Sequence, residues 1–526
     1  MAADLFIHVQ TPRPGDGVGV AIHGTRHFFR GHALPRRDGV ADGIFAGWTW
    51  DGSRLVVRTD RYGASPLFLW ASKTQIAVSP SLLAILECGA PADLDGPALS
   101  VFLRLGYFLG DDTPFTAIRT VAPGAEMVWE SGVLTSRSAG RPTQPLTATS
   151  RQQAIDGFID LCHRSIQRRL PAGRDVVMPL SSGRDSRHIL FELRAAGVRP
   201  RCVTVPRYAP RSSEDARIAP LLATAAGVPH TLLQQNSSRC TAEIRKNWLT
   251  HLCADEHAWY MAIVDEVSGR TSVMYDGLGG ALSVPNRYHS FAALDLIARG
   301  QFETLAGRWL DSFGVRSEDA LRRVIRREFL TAVSREAAVD RLARELESHG
   351  AVPDPIKSFN FWNRIRRELA LTPFSLLRDV PTVFVPYLDH DVYDFLMGLP
   401  PTVMSPTLND GKAFHTAAID RAFPQFATLP YEDKKAPSTC ARAHNTRFAK
   451  EAARFLLAHA GVRTRVLDRA TVLPRALLAV ARPAFGATRP WFPLLTLYLM
   501  QLDLAACRHI PAATAGSVCR AAASAA

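Results

Sequence analysis

The chain has 526 residues, 47% of them hydrophobic and 21% charged, with a formal net charge of +13. This balance predicts a soluble globular protein of about two or three domains with cores large enough to bury. Asp4 interrupts the N-terminus and no apolar stretch follows it, so no secretory signal is expected. No run reaches the length of a membrane span; the most apolar late stretch, residues 491–500, is short and is followed by Gln501 and Asp503. The eight cysteines form no C-x-x-C pair, which argues against a zinc site or a disulfide framework and fits a reducing, cytoplasmic setting. Arginines cluster at helical spacing at Arg164/Arg168/Arg169, Arg322/Arg323/Arg326/Arg327 and Arg364/Arg366/Arg367. Such clusters are solvated helix faces, or they attract an anionic ligand. No nucleic-acid-binding module is recognisable, so no nucleic-acid partner is expected.

In chain order, residues 5–9 read as a strand. Residues 43–50 and 55–59, joined at Asp51-Gly52-Ser53, read as a hairpin. The motif Asp60-Arg-Tyr-Gly-Ala-Ser-Pro-Leu-Phe68 follows, then a further strand and a helix near residues 80–86. Cys88, after that helix, reads as core. Thr113-Pro-Phe-Thr-Ala-Ile-Arg-Thr-Val-Ala-Pro-Gly124 precedes a strand at residues 126–129. Residues 152–170 carry Ile155, Phe158, Ile159, Cys162 and Ile166 at helical spacing.

The most informative stretch is residues 175–190. Its apolar run, residues 176–180, predicts a buried parallel strand. Residues 188–196 predict a helix with Ile189, Leu190 and Leu193 on one face. Between them lies the small-residue turn Ser181-Ser182-Gly183. A strand-to-helix turn of this kind aims backbone N–H groups and a helix N-terminus at one point, which suits an anion. Ser181, Ser182 and Ser186 add hydroxyls, and Asp185 adds a carboxylate able to hold magnesium beside a phosphate. The plainer alternative is a turn capped by Ser or Asp. No Walker A loop occurs.

Residues 201–206 and 230–233 read as further parallel strands, flanking a helix at 212–227 that opens on Ser-Ser-Glu-Asp, similar to a capping box. Strands alternating with helices predict a doubly wound α/β sheet with ligand at the carboxyl ends of its strands. A second glycine-rich turn, carrying Gly277 and Gly279, follows a strand within residues 272–283. Beyond Thr446 the chain reads as helical, with Pro483 and Pro490 as breaks and a small-residue tail from Ala512 that should fray.

The turn at residues 181–186 resembles the pyrophosphate loop, Ser-Gly-Gly-x-Asp-Ser, of ATP pyrophosphatases, which cut ATP to AMP and pyrophosphate to adenylate a substrate. Ser182 stands where the family has glycine; its Cβ resists positive φ, so a tighter phosphate approach is expected. The Asp60–Phe68 motif, the Thr113–Gly124 motif and this loop, in that order, resemble the asparagine synthetase family over residues 1 to about 440. The resemblance implies an Ntn-type α-β-β-α sandwich of the glutamine-amidotransferase kind over residues 1–140 and a doubly wound nucleotide-binding domain over 150–440. A helical region, 441–526, remains.

In that family the nucleophile is a cysteine exposed by removal of the initiator Met. Here the position is Ala2, so glutamine hydrolysis is not expected. Relatives lacking this cysteine, such as β-lactam synthetases and lasso-peptide cyclases, use an amine from the substrate. The resemblance further implies ATP and Mg2+ held at Ser181, Ser182, Gly183, Asp185, Ser186, Gly277 and Gly279, with adenine against the backbone of Val203 to Val205 and Asp185 on the metal. The family's second metal-binding aspartate falls at Ala281, where only Asp276 could substitute. The position that carries glutamate in asparagine synthetases, or tyrosine in β-lactam-forming relatives, is Leu278. Residues 382–400 resemble a helix start read as structural. Residues 423–437 resemble the loop bearing the catalytic lysine. Lys434, rather than Lys435, is implied to act on the α-phosphate and the oxyanion; a solvated lysine pair is the alternative.

The function so implied is an ATP-dependent ligase. It adenylates a small-molecule or peptide carboxylate and joins it to an amine, as in natural-product or macrolactam formation. A homodimer or a biosynthetic partner protein is compatible with this reading. The rival is an impaired homologue serving as a scaffold, which Ala2, Ser182, Leu278 and Ala281 favour. A different ATP pyrophosphatase is a third reading, against which the Asp60–Phe68 motif argues.

Overall fold

The computed structural model describes residues 5–10, 21–138, 145–146, 149–171, 173, 175–208, 214–235, 237–408, 412–432, 441–482 and 491–507. The N-terminal part contributes β1 (Ile7–Gln10), β2 (Ala21–Gly24), β3 (His27–Leu34), β4 (Asp42–Trp50), β5 (Arg54–Thr59), β6 (Phe68–Ala71), β7 (Gln75–Ser79), β8 (Arg119–Thr120), β9 (Ala125–Glu130) and β10 (Val133–Ser138). They form two antiparallel sheets, ordered β2-β1-β7-β6-β8 and β10-β9-β5-β4-β3. The expected hairpin is β4–β5, closed at Trp50 opposite Leu55. Asp51 Oδ1 fixes its turn by accepting the Ser53 and Arg54 N–H groups at 2.9 and 2.8 Å. Ile7 and Val9 of one sheet bury against Trp48, Trp50, Leu55 and Val57 of the other. Helices Leu82–Glu87 and Gly96–Leu105 cover the first sheet, where Leu82, Leu99 and Phe102 meet Phe68 and Ala77.

The Asp60 motif has a structural explanation. The fully buried Asp60 accepts N–H groups from Tyr62 (2.9 Å), Phe45 (3.3 Å), Ala64 and Ser65 (both 3.4 Å), tying the loop after β5 to β4. Alanine here should strand these donors and cost about 2–4 kcal/mol in denaturant unfolding. Burial lifts the Asp60 carboxyl to about 6. The folded chain therefore takes up this proton before the unfolded chain does, so the group favours the fold more in mild acid than at neutral pH. Asp60→Asn should flatten that slope.

The second half is built on β11 (Val176–Pro179), β12 (Arg201–Thr204), β13 (His230–Leu232), β14 (Val273–Tyr275) and β15 (Thr382–Phe384). All neighbours are parallel, in the order β13-β12-β11-β14-β15. The chain steps outward one way from β11 to β13, then returns to β11's other side with β14. The order reverses between β11 and β14, so their carboxyl ends frame a crevice. Val176 and Val177 pack with Phe158, Cys162 and Ile166 of helix Arg151–Arg168 and with Ile189, Leu190 and Leu193 of helix Arg184–Ala195. This latter helix, the loop helix, starts at Arg184 rather than at His188 as read from the apolar pattern. Its polar first turn carries no apolar face to register. The helix at 212–227 is described as Glu214–Ala226, and residues 211–213 lie outside the described residues.

Two arginine clusters contain buried members, although Arg164 and Arg168 of the first remain exposed. Arg169, 1% exposed, bridges Asp42 on β4 (2.9 Å) and Asp389 (2.5 Å), and Arg168 joins the same Asp389. Arg366 and Arg367, also buried, donate to the carbonyls of Gly110 (3.1 Å) and Asp112. The Arg169, Arg366 and Arg367 guanidiniums bind the two halves together, and helical spacing alone cannot tell a facing domain from solvent.

Helices Ala441–Ala458, Arg469–Ala481 and Trp491–Ala506 end the described chain and pack on the N-terminal helices; Tyr498 stacks on Phe102 at 4.7 Å. Buried Asp503 accepts three successive N–H groups, from Arg465, Val466 and Leu467, at 2.6–2.9 Å. Pro483, Pro490 and the tail from Ala512 lie outside the described residues. No described helix is long and apolar enough to cross a membrane.

Candidate active site

The crevice between β11 and β14 is lined by the two turns singled out in the sequence. After β11, the Ser181 N–H donates to Ser186 Oγ at 3.1 Å, and the two hydroxyls lie 3.0 Å apart. Ser181 Oγ accepts the Gly183 N–H at 3.1 Å. The Ser182 N–H and hydroxyl both donate to Asp215 Oδ1, at 2.9 and 2.6 Å. Ser182 has no positive φ, and Gly183 is extended at φ −71°. The positive φ that serine resists is therefore not required of Ser182. The side chain is buried against helix Glu214–Ala226 and anchors the loop.

Asp185 sits in the first turn of the loop helix, with its side chain 42% exposed. The turn after β14 packs against it. A Cβ on Gly280 would lie 2.4 Å from Asp185 Cγ, and one on Gly277 would lie 3.1 Å from Asp185 Cβ. Gly280 thus gives Asp185 its space. Gly279 adopts φ +90° and backs onto Tyr387 and Leu388. The Tyr387 hydroxyl donates to the Asp185 carbonyl at 3.0 Å.

Asp276 follows β14 directly. Its Oδ1 accepts the Leu278 N–H at 2.8 Å, and the Tyr260 hydroxyl reaches Oδ2 at 3.5 Å. Burial, assisted by the negative charge of Asp185, pushes its carboxyl up to about 6. Two carboxylates therefore occupy the crevice, one after each central strand. Leu278 and Ala281 add no polar group there.

Val203 lies inside the sheet and its carbonyl accepts the Leu180 N–H at 2.8 Å; Val205 is buried just past the end of β12. Arg184 and Arg187 of the loop helix clasp the Tyr431 ring, at 4.2 and 3.8 Å from its centroid. Lys434 and Lys435 lie outside the described residues. Ser181, Ser182, Gly183, Asp185, Ser186, Gly277 and Gly279 come together at the crevice.

Sequence reasoning missed Asp215, Tyr387 and a buried histidine, His415, whose Nδ1 stands 3.4 Å from Asp185 Oδ1. Burial lowers the pKa of that imidazole. No local signal marks any of the three; each reaches the crevice from a distant part of the chain.

Among the described residues, no group of three or more His, Cys, Asp or Glu could hold a metal by itself. Two carboxylates beside the uncapped N-terminus of the loop helix fit a magnesium ion that arrives with phosphates and takes its remaining ligands from them.

Residues 37–138 match the family described as the glutamine amidotransferase domain. The matched stretch runs from just before β4 to the end of β10 and so spans much of the two-sheet unit. It does not reach Ala2. No curated protein matches the chain. Solved structures with some similarity include an allosteric regulatory enzyme of purine biosynthesis, at 13% identity over 36% of this chain and 47% of that one, with a TM-score of 0.14. Another is glutamine phosphoribosylpyrophosphate amidotransferase from B. subtilis, complexed with ADP and GMP, at 15% identity over 46% of this chain and 44% of that one, with a TM-score of 0.14. A third is NH3-dependent NAD synthetase from Campylobacter jejuni, at 12% identity over 39% of this chain and 99% of that one, with a TM-score of 0.17. The chain spans under half the length of the first two. Similarity at this level assigns neither a residue nor an activity.

Proposed function

We propose that the protein is an AMP-forming, ATP-dependent carbon–nitrogen ligase of the asparagine synthetase kind that does not hydrolyse glutamine. The observation that carries this reading is the placement of Asp185 and Asp276 just past the adjacent parallel strands β11 and β14, beside the small-residue loop. The amidotransferase-type match at residues 37–138 supports it. ATP phosphates would lie against the loop of Ser181, Ser182, Gly183 and Ser186, with adenine toward Val203 and Val205. Asp185 and Asp276 would hold Mg2+, which would offset phosphate charge. Binding that cation would favour the ionised form of Asp276 over the neutral form that burial favours.

A substrate carboxylate would attack the α-phosphorus, releasing pyrophosphate and leaving an acyl-adenylate. An amine would then displace AMP to form the amide. Lys434, following the clasped Tyr431, is the proposed cation for the charge that develops in both steps, an effect of about 3 kcal/mol or more. The substrates would be a small-molecule or peptide carboxylate and an amine, consistent with peptide macrolactam or natural-product chemistry. The proposed units are residues 1–140, 150–440 and 441–526, in a cytoplasmic protein working as a homodimer or with a biosynthetic partner.

One observation favours a second reading, a scaffold that keeps the fold. Leu278 and Ala281 place no base or second family carboxylate in the glycine-rich turn. Calorimetry separates the two. ATP binding that requires Mg2+ is expected of the ligase and justifies a search of carboxylate and amine pairs by pyrophosphate release. A native chain that binds no ATP at millimolar concentration overturns the ligase reading and turns the search to protein partners.

A further inference from the structure

Behind Asp185 lies a buried array of imidazoles that the ligase mechanism does not use. His415 and His188 are 1% and 1% exposed. His415 is on helix Ala413–Ala422, and His188 is on the loop helix. His415 Nδ1 lies 3.0 Å from Ser283 Oγ and 3.4 Å from Asp185 Oδ1. Its Nε2 lies 3.1 Å from His188 Nδ1.

The tautomer follows from the neighbours. The Ser283 hydroxyl donates to the Gly280 carbonyl at 2.6 Å, so toward His415 its oxygen accepts. His415 therefore carries its proton on Nδ1 and donates that N–H to Ser283 Oγ, with Asp185 Oδ1 standing 3.4 Å from the same nitrogen. Its Nε2 then accepts from the His188 Nδ1–H. His188 Nε2, buried without a hydrogen bond, faces Glu192 Oε1 at 3.6 Å. Glu192 Oε2 in turn meets Nδ1 of the half-exposed His163 at 3.1 Å.

Phe158, Tyr387 and Phe414 surround the pair, with Phe158 at 5.4 Å and Tyr387 at 5.8 Å from the His415 ring. In such a setting an apolar side chain would fill the space without desolvating polar nitrogens. The imidazole supplies what an apolar side chain cannot, an N–H beside the crevice carboxylate.

We propose that His415 is a positioning residue whose Nδ1–H orients Asp185 toward the cation, with Ser283 as the acceptor that fixes its tautomer. The proposal rests on the ligase reading of the crevice. Its test is ATP binding by calorimetry on the full chain as Mg2+ is varied, for the native protein, Asp185→Ala, His415→Leu, His415→Gln and His415→Asn. Asparagine offers an N–H near the place of Nδ1, whereas glutamine offers one near the place of Nε2. His415→Leu and His415→Gln should raise the Mg2+ needed for half-maximal binding about 10–100-fold. His415→Asn should return it to within about threefold of native.

A folded His415→Leu chain with the native Mg2+ requirement overturns the proposal, and so does an asparagine variant as impaired as the glutamine one. Should the leucine variant not fold, the asparagine–glutamine pair decides alone. Native protein without Mg2+-dependent ATP binding, or Asp185→Ala binding as well as native, overturns the ligase reading itself and this proposal with it.

Discussion

Asp185→Ala is expected to weaken Mg2+-dependent ATP binding by at least about 100-fold, since losing even an outer-shell partner typically costs about 10–100-fold. Its melting temperature should stay close to native. Asp185 is partly exposed at the crevice, and its side-chain contacts are with Gly277, Gly280 and His415 rather than with the apolar core. Truncation therefore removes a charge from the crevice without opening a cavity. Gly280→Ala offers a second route to the same defect. Its added Cβ would lie 2.4 Å from Asp185 Cγ, and Asp185 would have to swing away. The alanine variant should thus lose affinity although every crevice carboxylate is still present. Calorimetry at fixed ATP with titrated Mg2+ reads both variants. A dissociation constant unchanged by Asp185→Ala would remove this carboxylate from the site. Normal binding by Gly280→Ala would show that the turn after β14 yields easily.

Arg169→Ala is expected to destabilise the folded chain by about 3–5 kcal/mol, the usual cost of breaking a buried ion pair from one side. Asp42, Arg169 and Asp389 are each at most 1% exposed. Arg168, 2.5 Å from Asp389 in the native chain, should continue to hold it, so the carboxylate left stranded is chiefly Asp42, on the amidotransferase-type side. The denaturant midpoint should fall without a change in slope if the two halves still unfold together. A split transition would instead mean that the arginine couples them.

The charged pair also gives a pH signature. The Arg169 and Arg168 guanidiniums hold the Asp389 carboxyl below its ordinary range, even though burial opposes them. Stability from this depressed acid is present above the ordinary carboxylate pKa and is lost as the pH falls through the lower folded value. Native protein should consequently lose more stability in acid than Arg169→Ala does. Equal acid slopes would mean that the pair contributes nothing to the linkage.

Much of this architecture is local in origin and was legible in the chain. The β4–β5 hairpin follows from alternating residues around Asp51-Gly52-Ser53. β11 follows from a short apolar run, and the anion-type turn follows from small residues set between a strand and a helix. These are set by steric and solvation preferences that act over a few residues. The tertiary structure decided what depends on distant partners. Strand order placed the turn after β14 beside the turn after β11, and so brought Asp276 into the same crevice as Asp185.

Spacing alone read Arg169, Arg366 and Arg367 as solvated, yet they reach Asp42 and the Gly110 and Asp112 carbonyls of the other half. Ser182 read only as a departure from the family's glycine, and its acceptor, Asp215, lies 33 residues on. His188 met His415 across 227 residues of chain. The sequence by itself determined the turns, the strands and the residue types able to meet phosphate and metal. Only the tertiary structure decided which polar groups share a buried space, because hydrogen bonds and charge pairing depend on a few ångströms that sequence separation does not encode.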